Sequence, residues 1–149
     1  AKHEFHVRNR VMHTPEFKTA NGKGQFVVHP LIDVSNTEYP FTLMSVRSEG
    51  QFNSIIYEDS DSYRGVDNRW TVLLNPADMK IMTLNSGDKV DVVSAHGEMK
   101  AVQVQPFDIP QGNMMAYYPE ANVLIGLERD KRSRTPAFKS VAVRICSIG

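Results

Sequence analysis

Cysteine, net charge and long apolar runs are what this chain of 149 residues has least of. Its single cysteine, Cys146, excludes an internal disulfide, and it also excludes a zinc site or an iron–sulfur cluster held by several cysteines. The 17 basic residues balance the 17 acidic ones, so we expect neither nucleic acid nor a membrane surface as a partner. No apolar run approaches the roughly 20 residues that cross a bilayer, and the N-terminus lacks the apolar core of a signal peptide. The expected location is the cytoplasm.

The motifs of common enzymes are also missing. Neither GxGxxG nor GxxxxGK[ST] occurs, so the sequence has no glycine-rich phosphate loop of a known type. Among five histidines only His3 and His6 stand close together, whereas a metal site needs about four converging ligands. Cys146 has no histidine near it in sequence that would serve as a base. We therefore predict no catalytic residue and no metal ligand in this chain by itself, and the acidic run over 57–62 is interpreted as a solvated loop.

The composition that is present is that of an ordinary globular protein. Apolar residues make up 41% of the chain and charged residues 23%, and the length is typical of one domain. The chain begins with Ala1 rather than methionine, which suggests a trimmed protein or an excised fragment.

Short apolar stretches separated by turn residues predict a mostly-β protein. In the first 39 residues we expect an extended arm with a turn at Asn21-Gly22 and a short strand over Gln25–His29. Asn75 and Pro76 are a typical helix start, so one helix is predicted over Ala77–Leu84, followed by a turn in which Gly87 can take a positive φ. The remaining strands are predicted at Phe41–Val46, Thr71–Leu74, Lys89–Ser94, Met99–Gln105, Met114–Tyr118 and Ser140–Ile148, with a loop over Pro119–Asn122. Strands joined by turns rather than by long helices favour a closed or nearly closed barrel.

Two polar stretches are candidates for ligand binding. Ser45, Arg47, Gly50, Gln51 and Asn53 directly follow the first barrel strand, and an arginine fork beside a glycine suits a diphosphate or a purine edge. The alternative is an ordinary polar turn. In the second stretch, aromatic, amide and cationic side chains are expected near one end of the barrel. For Arg129–Arg134 within it, the alternative is a solvated charge run. The second set comprises Tyr118, Asn122, Thr135, Phe138 and Lys139.

In their order along the chain, three segments resemble the C-terminal domain of the molybdopterin-dinucleotide oxidoreductases, the superfamily of formate dehydrogenase and dimethyl sulfoxide reductase. The segments are LMSVRSEGQFNS, VLLNPADMKIMTLNSGDKVDVVSAHGEMKAVQV and PEANVLIGLERDKRSRTPAFKSVAVRI. The last segment is most similar to formate-dehydrogenase-like oxidoreductases of bacteria.

The resemblance implies a six-stranded double-psi β-barrel with one or two short helices over residues 40–149, with the arm over 1–39 packed on it. It implies that the barrel binds molybdopterin guanine dinucleotide through residues at two places in the sequence. These cofactor-binding residues are Ser45, Arg47, Gly50, Gln51, Asn53, Asn122, Phe138 and Lys139.

In such enzymes earlier domains hold the molybdenum or tungsten and the iron–sulfur clusters. The expected partners are therefore the remaining domains or a large subunit of an oxidoreductase, and no turnover is expected from this chain alone. Two departures stand out: Gln51 replaces a histidine found in many relatives, and the region Ile55–Asn68 does not match a threonine-rich consensus of the family, so the resemblance implies no site residue there.

Two alternatives remain open from the sequence. One is a non-enzymatic double-psi barrel that acts as an adaptor or substrate-recognition module, in which the polar stretches face a protein partner. The other is a self-processing decarboxylase on a similar barrel. Such an enzyme needs a Gly-Ser cleavage step, whereas this chain has Ser86-Gly87 in the opposite order.

Overall fold

A computed structural model describes residues 16–31, 33, 36–52 and 58–148 and divides the chain into two units, Ala1–Val34 and Ser35–Gly149. In the first unit the predicted turn is confirmed, because the Gly22 amide donates to the Thr19 carbonyl at 3.1 Å and Gly22 has a φ of +67°. The strand predicted over Gln25–His29 is wrong. These residues have no strand structure, and Phe26, Val27 and Val28 are exposed, because this apolar run has no pairing partner among the described residues. The packing of an arm over 1–39 on the barrel stays a prediction.

The described residues of the second unit form six strands and two short helices. The strands are β1 (Phe41–Val46), β2 (Thr71–Leu74), β3 (Lys89–Ser94), β4 (Glu98–Pro106), β5 (Asn113–Tyr117) and β6 (Val141–Ser147). The α-helix α1 spans Pro76–Ile81, and a 3₁₀ helix, η1, spans Glu120–Leu124. None of the helices in the described part of the chain is long and apolar enough to cross a membrane.

The six strands close into a barrel in the order β1-β5-β2-β4-β3-β6, and β6 returns to β1. Two pairs, β1 with β5 and β2 with β4, are parallel, and the other four pairs are antiparallel. The prediction of a mostly-β, six-stranded barrel with one or two short helices is thereby confirmed. The double-psi crossover stays a prediction from the resemblance.

The alternation of apolar residues along β4 places Val102 and Val104 on the inner face of the barrel, and both are fully buried. Strand β4 contains a bulge, where Ala101 adopts a φ of +51° and its amide donates to the Asp91 carboxylate at 2.8 Å. The bulge increases local twist and helps a short sheet to close.

The helix start was predicted correctly and the helix end was not. The Asn75 side chain accepts a hydrogen bond from the Ala77 amide at 2.7 Å, as an N-cap does. However, α1 ends at Ile81 rather than Leu84, because Thr83 takes a φ of +58° and turns the chain out of the helix.

The loop predicted over Pro119–Asn122 is also corrected. A 3₁₀ turn forms there as η1, in which the Asn122 amide donates to the Pro119 carbonyl at 2.9 Å.

Strand directions bring four chain segments to one end of the barrel. Parallel pairing of β1 with β5 places Val46 beside Tyr117, so both strands end together. Strands β6 and β2 run antiparallel to β1 and β5, so they begin where those strands end. Residues after β1 and β5 and residues before β2 and β6 therefore meet at this end.

Candidate functional site

A pocket of about 610 Å³ lies at this end of the barrel. We call it the end pocket, and its lining residues are Ser45, Val46, Arg47, Arg64, Tyr118, Phe138 and Lys139. Three cations and two aromatic rings are among them. The volume lies within the usual range of about 300–1,000 Å³ for small-molecule sites.

One wall of the end pocket is formed where β1 meets the segment before β6. The Ser45 amide and hydroxyl both donate to the Phe138 carbonyl, at 3.0 and 3.1 Å. The Lys139 ammonium donates in turn to the Ser45 carbonyl. An ammonium has three N–H donors, and among the described residues the Lys139 ammonium donates to this carbonyl alone, so two donors remain for a ligand. The Ser45 hydroxyl holds this wall together instead of pointing freely at a ligand.

A second wall contains Arg47 and Tyr118. The Arg47 guanidinium lies over the Tyr118 ring, with its central carbon 5.9 Å from the ring centroid. Both side chains are exposed to solvent. A planar cation beside an exposed ring can stack on a flat heterocycle and pair with a phosphate.

Beneath these walls lies a buried hydrogen-bond network centred on Arg69, which is only 2% exposed. Its Nε and NH2 groups donate to the two Glu120 carboxylate oxygens at 2.8 and 3.0 Å, a bidentate ion pair. NH1 donates to the Ser48 hydroxyl at 2.5 Å, and NH2 also donates to the Tyr118 carbonyl at 2.5 Å. We call Arg69, Glu120, Ser48 and Gln51 the Arg69 brace.

Gln51 completes the Arg69 brace. Its amide nitrogen donates to the Tyr118 carbonyl at 2.8 Å, and its oxygen accepts from the Ser48 amide at 3.2 Å and from Arg69 NH2 at 3.3 Å. The brace therefore ties the turn after β1 to the end of β5. It holds the backbone that directly follows Arg47 and the carbonyl of Tyr118.

The third cation, Arg64, is held by a buried carboxylate. Arg64 NH1 donates to the Asp61 carboxylate at 2.5 Å and to the Arg47 carbonyl at 3.0 Å. The same Asp61 oxygen accepts from the Tyr117 hydroxyl at 2.9 Å, while its other oxygen accepts from the amides of Glu49 and Tyr63.

This arrangement shifts the pKa values of both buried groups. Burial would raise the pKa of the Asp61 carboxyl, but hydrogen bonds from Arg64, Tyr117 and the Glu49 amide outweigh it and hold the pKa below its usual value. Burial, together with the hydrogen bond to the Asp61 carboxylate, raises the pKa of the Tyr117 hydroxyl well above its usual value. At neutral pH the pair is therefore a carboxylate and a neutral phenol.

The structure brings four of the eight predicted site residues into the end pocket: Ser45, Arg47, Phe138 and Lys139. Gly50 lies on the turn after β1 with a φ of +72°, which a glycine adopts without strain, and it does not line the pocket. Gln51 is buried in the Arg69 brace. Asn122 is exposed on η1 and also lies outside the lining, and Asn53 lies outside the described residues.

Sequence reasoning missed Arg64, Arg69, Glu120 and the role of Asp61. The interpretation of the acidic run as a solvated loop is wrong for Asp61, which is fully buried. Four hydrogen bonds to its carboxylate replace those that water would make. The available signal was the pair of arginines in the long segment before β2. The sequence alone did not single out these two arginines, because their partners Asp61 and Glu120 become known only from the fold.

The end pocket suits an anion that carries a flat ring. Its three cationic side chains outnumber the single Asp61 carboxylate bound to Arg64, so the pocket attracts negative charge. The rings of Tyr118 and Phe138 offer apolar surface beside those cations. Within the described residues, no group of three or more His, Cys, Asp or Glu side chains is placed to hold a metal ion.

A closed six-stranded barrel with a cationic, aromatic pocket at one end defines a small-molecule-binding domain for an anionic ligand. The sequence matches the family described as the Molydopterin dinucleotide binding domain over residues 41–142. The chain belongs to this family. The matched region begins with β1 and ends within β6, so it includes all of the residues that line the end pocket.

Several curated proteins are similar to the chain. An uncharacterized oxidoreductase of Mycobacterium tuberculosis is 38% identical over 141 residues, which cover 87% of this chain and 18% of that protein. Protein YdeP of Escherichia coli is 26% identical, over 95% of this chain and 20% of its own length. The F420-dependent formate dehydrogenase subunit alpha of Methanocaldococcus jannaschii is 27% identical, over 95% of this chain and 22% of its own length. The chain thus spans about a fifth of the length of these relatives.

A solved structure shares the fold. Acetylene hydratase from Pelobacter acetylenicus superposes with a TM-score of 0.56 at 16% sequence identity, and the match covers 74% of this chain and 19% of that one.

Proposed function

We propose that the chain binds molybdopterin guanine dinucleotide as one domain or small subunit of a molybdenum or tungsten oxidoreductase related to formate dehydrogenase. The observation that carries the proposal is the end pocket, where four residues of the two predicted binding stretches converge, although Ser45 and Phe138 lie 93 residues apart in the sequence. The family match supports the dinucleotide as the ligand. The relative from Methanocaldococcus jannaschii supports the link to formate dehydrogenases.

The residues of the end pocket fit the anionic part of such a cofactor. A dinucleotide carries a diphosphate, and Arg47 and Lys139 supply charge-assisted donors for its oxygens. The Tyr118 and Phe138 rings supply surface for a heterocycle, and stacking of a nucleobase on an aromatic side chain contributes about 1–3 kcal/mol in nucleic-acid complexes. Gly50, Asn53 and Asn122 are proposed as outer contacts, and Gln51 is proposed to act through the backbone it holds.

The division of labour follows from these contacts. The cofactor, when bound, supplies the metal-centred redox chemistry of the enzyme. This chain binds and orients it: the Arg69 brace fixes the backbone at Tyr118, and the hydrogen bonds between Ser45, Phe138 and Lys139 fix the opposite wall. The partners proposed for the chain are the other domains or the large subunit, which would hold the metal and determine the substrate. Cytoplasmic location belongs to the same proposal.

The adaptor alternative is not favoured, because the family match names a dinucleotide as the ligand of this barrel. A protein-binding loop also has no need for a concave pocket with three cations.

Cofactor retention in the assembled oxidoreductase tests the proposal. We expect Arg47→Ala and Lys139→Ala each to lower the molybdenum or tungsten content and the guanine nucleotide content of the purified enzyme. Lys131→Ala serves as a matched control, because Lys131 is exposed outside the end pocket. Full metal and nucleotide content in both pocket variants would show that the pocket does not hold the cofactor.

A further inference from the structure

We infer that Arg64 is a phosphate-binding residue of the end pocket, oriented by the buried pair Asp61 and Tyr117. This inference rests on the proposed function and adds to it a residue that is not among the cofactor-binding residues implied by the resemblance. The three cations of the pocket come from different parts of the chain: Arg47 and Lys139 lie next to β1 and β6, and Arg64 lies in the segment before β2.

The position of Arg64 supports a direct contact with the ligand. The residue lines the end pocket, and its side chain is 22% exposed. Within the described part of the chain, the Arg64 guanidinium makes two hydrogen bonds, and NH1 donates both of them, one to the Asp61 carboxylate and one to the Arg47 carbonyl. The Nε and NH2 edge of the guanidinium is then left for a ligand, and such an edge matches two oxygens of a phosphate.

The burial of Asp61 indicates that the orientation of Arg64 is set before any ligand binds. Asp61 is fully buried, and one of its oxygens contacts both Arg64 NH1 and the Tyr117 hydroxyl. Tyr117 is itself fully buried in β5, so the carboxylate is attached to the rigid barrel. A guanidinium held in place loses less side-chain entropy when a ligand binds, which strengthens binding.

The contact with the Arg47 carbonyl links Arg64 to the opposite cation. Arg64 comes from the long segment before β2, whereas Arg47 directly follows β1. The hydrogen bond of 3.0 Å from Arg64 NH1 to the Arg47 backbone carbonyl holds the Arg64 guanidinium beside the segment that carries Arg47. Two cationic side chains that line the same pocket can each bind one phosphoryl group of a diphosphate.

Asp61 allows positioning to be separated from simple charge. Replacing Asp61 by asparagine removes one negative charge next to the pocket, so an effect of net charge alone would strengthen anion binding. If Asp61 instead orients Arg64, the same substitution weakens anion binding. The Tyr117→Phe variant removes one hydrogen bond to Asp61 without changing any charge, and it is the milder test of the same orientation.

The test is a calorimetric titration of the 149-residue chain with GDP as the probe. We expect Arg64→Gln to weaken GDP binding by about ten- to a hundredfold, the effect of losing a charge-assisted contact. Arg132→Gln is the matched control and should bind as the unchanged chain does, because Arg132 is exposed outside the pocket. Asp61→Asn and Tyr117→Phe should each weaken binding, and thermal melts confirm that each variant is folded.

The outcomes separate this inference from the function on which it rests. Unchanged GDP affinity in Arg64→Gln together with weaker binding in Lys139→Ala would overturn the inference and leave the proposed function standing. Failure of the unchanged chain to bind GDP, or equal affinity in all of the pocket variants, would count against both. Tighter binding by Asp61→Asn, with no loss in Tyr117→Phe, would overturn the positioning role. Should Asp61→Asn unfold, Tyr117→Phe decides that role.

Discussion

Replacing Arg69 with methionine tests whether the Arg69 brace stabilises the end of the barrel. The substitution keeps an unbranched side chain in place and removes every hydrogen bond of the guanidinium. Loss of one partner from a buried ion pair costs about 3–5 kcal/mol, because the remaining charge is left without compensation. Here the Glu120 side chain is 19% exposed, so water reaches its carboxylate, and the Tyr118 carbonyl keeps its hydrogen bond from Gln51. We therefore expect the free energy of unfolding to fall by about 3 kcal/mol.

Urea denaturation at pH 7 measures this loss, with the slope of the transition compared between variants. Thermal unfolding checks it independently, since about 2–4 °C per kcal/mol for a domain near this size predicts a drop of about 6–12 °C. Arg129→Met is the control, because Arg129 is exposed, and its effect should stay within about 0.5 kcal/mol. A loss below about 1 kcal/mol in Arg69→Met would refute the argument that the buried Arg69 guanidinium compensates the charge of the Glu120 carboxylate.

A second substitution in the same background sharpens the result. If the cost arises from the uncompensated Glu120 carboxylate, then adding Glu120→Met to Arg69→Met should recover part of the lost stability. The full double-mutant cycle gives the coupling energy between the two side chains. Strict additivity of the two single effects would show that Arg69 stabilises the fold through its other contacts, to Ser48 and Tyr118, rather than through the ion pair.

Two further predictions concern other parts of the barrel. Gly97→Ala should lower the free energy of unfolding by about 1–3 kcal/mol in urea denaturation, because a Cβ there would lie 2.2 Å from the Val123 carbonyl oxygen, and an effect near zero would contradict this close approach. The stability contributed by the Asp61 carboxylate should be fully present above the unfolded pKa of about 3.9 and be lost as the pH falls through the lowered folded pKa. The stability gap between the unchanged chain and Asp61→Asn should therefore narrow in urea denaturation between about pH 6 and about pH 3, and a constant gap would exclude this linkage.

Local signals in the sequence were enough to predict most of the elements. The bounds of β1, β2 and β3 agree with the predictions to the residue, because each stretch contains several strand-favouring apolar residues and is bounded by a proline, a cap or a turn residue. The Asn75 cap and the positive φ of Gly87, at 93°, were also predicted from local chemistry. The arm strand over Gln25–His29 failed, since its local pattern was strand-like and only pairing decides whether such a pattern becomes a strand.

The site was less predictable than the fold, because its contacts connect distant parts of the chain. Ser45 and Lys139 meet across a separation of 94 residues, and Arg69 and Glu120 across 51. Residue type and position in the segments that resemble the family led to the prediction of Arg47 and Lys139 as cofactor contacts. Arg129 belongs to a charge run, which indicates exposure, but no local signal shows that Arg69 is buried against a partner 51 residues away.

The separation of buried and exposed arginines explains how one barrel end can be both rigid and available to a ligand. Arg69 uses its Nε, NH1 and NH2 groups on protein acceptors, so it stabilises the walls while remaining out of reach of a ligand. Arg47 instead lies on the rim. Among the described residues its guanidinium contacts the Tyr118 ring, which accepts none of its N–H groups in a conventional hydrogen bond, so these donors stay available to a ligand. Loss of Arg69 should therefore reduce stability first and binding only through displaced walls, whereas loss of Arg47 should reduce binding at nearly unchanged stability. Measuring the free energy of unfolding and the ligand affinity for the variants at Arg69 and at Arg47 distinguishes residues that stabilise the end pocket from residues that bind the ligand.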